Sequence, residues 1–128
     1  MVDYGSHGSL ASKSQTTQEK LGRTTAQKKI DSQLLYAIYR KRGVAKAKGV
    51  PSGELRVRFD EKGRAIVNIR ARVTKAVLAK IRNLGGEVIS SSEAYNDILA
   101  RVPLGKLEKL ATLQDVQAIM PADEATTN

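Results

Sequence analysis

The chain has 128 residues, 41% of them hydrophobic, which is room for one small domain with extensions. It has no cysteine, which excludes a disulfide framework and a thiolate metal site, and no run of about 18 apolar residues that would span a membrane. The formal charge of +9 is uneven: residues 1–58 hold 12 Lys and Arg against 4 Asp and Glu, and residues 59–128 hold 10 against 9, so the basicity belongs to the N-terminal half.

Residues 1–26 are polar, rich in Gly, Ser and Thr, and lack periodicity, so a disordered tail is expected there. The opening MVDYGSHGSLAS, which carries the single histidine, His7, has the look of an expression tag. The stretch KKIDSQLLYAIYRKRG predicts a helix over 27–43. Asp31 or Ser32 can cap its start, Leu34, Leu35 and Ile38 share one face, and Gly43 supplies the stop. Residues 44–54, with Gly49, Pro51 and Gly53, read as a flexible linker.

From residue 55 the period changes to two. Leu55, Val57 and Phe59 alternate with Arg56 and Arg58, and Asp60-Glu61-Lys62-Gly63 is turn chemistry. In RAIVNIRAR, Ala65, Val67, Ile69 and Ala71 fall on one face of a strand. A helix starts after Thr74, carries Val77, Leu78, Ile81 and Leu84 as its apolar stripe, and ends at Gly85-Gly86. EVISSS and DILARV are strands around a turn at Ala94, Tyr95 and Asn96. Leu104, Leu107, Leu110 and Ala111 mark a short helix, and DVQAIM is the last strand.

Residues 64–121 therefore read β-α-β-β-α-β, the order of an α+β, ferredoxin-like fold with four antiparallel strands and two helices on one face. The domain is expected over 55–123, with a short tail over 124–128. The first strand of this fold is central. The arm at 55–59 can pair only with whatever part of that strand its two neighbours leave free, and partial pairing is expected.

Chemistry is sparse. A Ser–His–Asp triad has no histidine outside the tag, and one His with scattered carboxylates makes no metal site. Ser90, Ser91 and Ser92 read as a polar strand end, and neither an enzyme nor a cofactor is expected. A basic nucleic-acid-binding module is the rival reading, but the expected central strands AIVNIRA and DILARV hold no aromatic on which bases could stack. Arg70, Arg72 and Arg101 would give only salt-sensitive phosphate contacts, so no specific nucleic acid is expected as a partner. A stand-alone protein-interaction or regulatory domain is a third reading, with an effector at the Leu84-Gly85-Gly86-Glu87 turn, although a helix stop explains the same glycines.

The segments in order resemble the propeptide-like, inhibitor-type N-terminal domain of bacterial subtilisin-like serine proteases. Carrying the resemblance are a strand and helix ending Leu-Gly-Gly-Glu-Val, then a hairpin running into Arg101-Val102-Pro103-Leu104. The Leu107–Leu113 helix and Asp115-Val116-Gln117-Ala118-Ile119 leading into Pro121-Ala122-Asp123 complete it, and Lys29-Ile30-Asp31-Ser32-Gln33-Leu34-Leu35 resembles the helix upstream. The resemblance spans residues 29–123. It implies a domain that assists folding of a protease and inhibits it, in cis or in trans. The open sheet face would pack on the catalytic domain through Ile66, Asn68, Arg70, Leu99, Arg101, Gln117 and Ile119. A segment from Met120 through Pro121, Ala122, Asp123 and Glu124 would run into the substrate cleft. It further implies a secreted or periplasmic monomer. Two departures stand out: no catalytic domain is present, and Ala125-Thr126-Thr127-Asn128 offers no large residue for a specificity pocket.

Overall fold

The computed structural model describes residues 23–50, 53 and 55–122. In chain order the elements are α1 (Thr25–Lys28), α2 (Ser32–Arg42), β1 (Arg64–Ala71), α3 (Lys75–Asn83), β2 (Glu87–Ser92), β3 (Asp97–Pro103), a 3-10 turn (Leu104–Lys106), α4 (Leu107–Ala111) and β4 (Val116–Pro121). The strands form one antiparallel sheet in the order β2-β3-β1-β4. This is the α+β, ferredoxin-like arrangement, with β1 and β3 central.

Alternation in β1 explains the layering. Ala65, Val67, Ile69 and Ala71 are fully buried and face the helices, while Ile66, Asn68 and Arg70 face away. Ile98, Ala100 and Val102 of β3 join the buried side, and Val77 and Ile81 of α3 and Leu107, Leu110 and Ala111 of α4 close over them. Thr74 caps α3 by accepting a hydrogen bond from the Val77 N–H at 3.1 Å.

The N-terminal helix belongs to this core. Leu34 and Leu35 are 0% exposed and Ile38 1%, in one cluster with the sheet residues. Burying a side chain of this kind stabilises a fold by about 1.5–3 kcal/mol. Asp31 caps α2 through the Gln33 N–H at 2.8 Å, and Gly43, at φ 75°, ends it in the left-handed region.

The tail expected over 1–26 stops sooner: residues 23–26 are structured, with Thr24 and Gln27 forming a capping box at α1. The tag and the rest of that tail lie outside the described residues. The expected flexible linker is, over 44–50, a run of hydrogen-bonded turns whose Val44, Ala45 and Val50 pack against the core. The arm at 55–59 pairs partially, as expected. Asp60 N–H donates to Arg64 O and Ile66 N–H to Arg58 O, where β4, which starts its pairing at Val67, leaves β1 free.

One pairing lies beyond the sequence reading. The Asp31 N–H donates to Ile119 O and the Ile119 N–H to Lys29 O, both at 2.8 Å, so residues 29–31 run parallel to β4 and cover its outer edge. The Gln27 amide and the Arg42 guanidinium both donate to the Glu108 carboxylate, and Lys29 Nζ donates to Leu113 O, which ties α1 and α2 to α4.

Candidate interaction face

The sheet surface away from the helices is organised in rows set by strand register. Glu87, Arg101 and Ile66 form one row. Ser90, Leu99, Asn68 and Met120 form the next, and Ser92, Asp97, Arg70 and Ala118 the third. Directly opposed residues project from the same face, so Leu99, Ile66 and Met120 gather at its middle. All three are half-buried.

Charge is concentrated at one end. The Asp60 carboxylate accepts from the Arg64 amide at 2.8 Å, from Arg64 Nε at 2.7 Å and from the Lys62 amide at 2.9 Å. Desolvation works to raise its pKa, but these hydrogen bonds outweigh it and hold the carboxyl below the usual aspartate value. Arg101 Nη1 donates to Glu87 Oε1 at 3.1 Å, and Arg64 reaches the same oxygen at 3.4 Å. The charges beside the apolar middle thus satisfy one another. At the other end Asn68 Nδ2 donates to Asp97 Oδ2 at 3.3 Å, and Arg70 stands exposed opposite Asp97.

Of the expected face residues, Ile66, Asn68, Arg70, Leu99 and Arg101 lie together on this surface. Ile119 does not. It is 0% exposed and faces the helices opposite Ile69. A bulge in β4 is the cause: between the pairs Arg70–Ala118 and Ala71–Val116, Gln117 is an extra residue that resets the alternation. Gln117 is exposed in that bulge, outside the rows. Met120, expected in the threaded segment, takes the face position that strict alternation assigned to Ile119. Pro121 pairs with Val67, and the buried Ala122 donates its N–H to Ile66 O at 3.1 Å, so both are held by β1. Asp123 and Glu124 lie outside the described residues.

Asp60 is the residue sequence reasoning undervalued. Turn chemistry accounts for it in the sequence, and the arginine four positions on is the signal for its role in the ion cluster. Among the described residues no three His, Cys, Asp or Glu side chains gather as metal ligands, and no helix is long and apolar enough to cross a membrane. Comparison with protein-family models, with curated proteins and with solved structures finds no match.

Proposed function

We propose that this chain is a non-catalytic, propeptide-like domain that assists folding of a subtilisin-like serine protease and inhibits it. Its helix-free sheet face packs on the catalytic domain, and the segment after Ala122 enters the substrate cleft. The carrying observation is the composition of that face: an apolar middle of Leu99, Ile66 and Met120, drawn from three strands and flanked at one end by charges that are already paired. An interface is strongest where apolar side chains leave water without stranding a charge, and the Asp60–Arg64–Glu87–Arg101 end of this face meets that condition. β4 also ends beside the same surface, with the Ala122 N–H held by Ile66 O.

The test is titration of the activity of the cognate subtilisin-like catalytic domain with the wild-type domain and with Leu99→Asp, while circular dichroism monitors folding. Leu99 sits mid-strand on the face that no helix covers, so the variant folds. Its inhibition weakens by at least about tenfold, because central apolar anchors dominate interface energy. A wild type that does not inhibit, or a folded Leu99→Asp that inhibits equally well, overturns the reading.

A further inference from the structure

A cleft of about 740 Å³ opens between the arm, the start of α2 and the end of β4, within the size range of small-molecule sites. Arg56 and Arg58 line it from the arm, Asp31 and Gln33 from the start of α2, and Pro121 and Ala122 from the end of β4. The cleft holds both signs of charge. On one side, Arg58 Nη1 is buried with no hydrogen-bond partner. It has lost its water and gained no acceptor, a cost that a bound carboxylate removes. On the other side, Asp31 is exposed and caps α2 through Oδ1, which accepts from the Gln33 amide at 2.8 Å. Among the described residues its Oδ2 accepts no hydrogen bond, and no ion pair joins Asp31 to either arginine.

The opposite charges are kept apart by the backbone that carries them. Gln33 Oε1 accepts from the Arg56 amide at 2.9 Å, which pins the arm to the start of α2. Ile66 N–H donates to Arg58 O at 2.8 Å, which pins the arm to β1. A cleft that holds a cation and an anion without letting them pair suits a ligand with both charges. A simple anion meets repulsion from Asp31, and a simple amine meets repulsion from the arginines. In a zwitterion, the carboxylate takes the planar guanidinium donors and the ammonium takes Asp31 Oδ2. Pro121 and Ala122 add an apolar wall for a side chain.

We propose that the cleft between Arg58 and Asp31 binds a small zwitterion with an apolar side chain, the chemistry shared by a free amino acid and a short unblocked peptide. The inference stands apart from the protease reading, and no protease enters its test. Amide NMR of the full chain is followed at Gln33, Arg56 and Arg58 while L-leucine or leucyl-leucine is added. At least one of the two gives saturable shifts below about 10 mM, and the tighter one identifies the source. Removing either ligand charge, with 4-methylpentanoate or with isopentylamine, weakens binding at least about tenfold. Arg58→Gln does the same, and so does Asp31→Asn, which keeps the helix cap because Asn caps as well as Asp. Circular dichroism confirms that both variants are folded. The proposal is overturned if neither probe gives saturable shifts up to about 50 mM, or if 4-methylpentanoate binds as tightly as leucine. Folded Asp31→Asn that binds as the wild type does also overturns it.

Discussion

Gly86 is where the chain leaves α3 for β2, and it has no room for a side chain. A Cβ there would lie 2.7 Å from Arg101 O and 2.9 Å from Ile81 O, both backbone atoms that cannot turn aside. The close approach comes from the helix ending, in which the Gly86 N–H donates to Ile81 O and the Gly85 N–H to Arg82 O while Gly85 sits at φ 87°. Gly86→Ala is expected to destabilise the domain by about 1–3 kcal/mol, measured by urea denaturation, because either β3 or α3 must move. Glu108 supplies a second prediction. Desolvation works to raise its pKa, but hydrogen bonds from Arg42 and Gln27 and the Arg42 charge outweigh it, leaving the carboxyl below the usual glutamate value. A carboxylate depressed in the folded state stabilises the fold above its unfolded pKa and loses that contribution as pH falls through the folded one. The melting temperature is therefore expected to drop below about pH 4, and Glu108→Gln to flatten that drop. Near neutral pH the variant should cost under about 1 kcal/mol, since the pair is partly solvated.

At the scale of elements, α2 is the sharpest test of what holds the molecule together. Leu35→Ala removes a side chain that is 0% exposed and leaves a cavity, so a loss of about 2–5 kcal/mol is expected in urea denaturation. A loss under about 1 kcal/mol would mean that α2 only rests on the surface. The helix itself was legible: Leu34, Leu35 and Ile38 at helical spacing, with Asp31 before and Gly43 after, fixed its ends. The order of strands and helices was legible too, because β1 and β3 alternate without interruption. β4 was not, because the bulge at Gln117 leaves no mark in hydropathy, and a shift of one residue exchanged Met120 for Ile119 on the candidate face. Nor was the pairing of residues 29–31 with Ile119 legible, since backbone hydrogen bonds carry no side-chain signature.

For the molecule as a whole, the uneven charge sets a different expectation. Lys41, Lys46 and Lys48 are exposed at and after the end of α2. Any binding to duplex DNA is expected to follow them, to be indifferent to sequence, and to weaken about tenfold or more between 50 and 200 mM salt. Fluorescence anisotropy checks this, with Lys41→Gln/Lys46→Gln weakening binding further at low salt. Substitution is the proper tool, because truncating the basic segment would remove Leu34, Leu35 and Ile38 from the core. Sequence-selective binding that resists salt would point instead to a dedicated nucleic-acid site.

Ile119 is clasped by residues that precede it by most of the domain, its N–H held by Lys29 and its carbonyl by Asp31. Contacts so distant along the chain are slow to find, because the loop between them must close before they return any energy. During synthesis residues 29–42 leave the ribosome well before the strand they are to border, which is the last of these elements in chain order. The apolar side of α2 must therefore wait, uncovered, until β4 has emerged. Folding of this domain is thus timed by the appearance of β4.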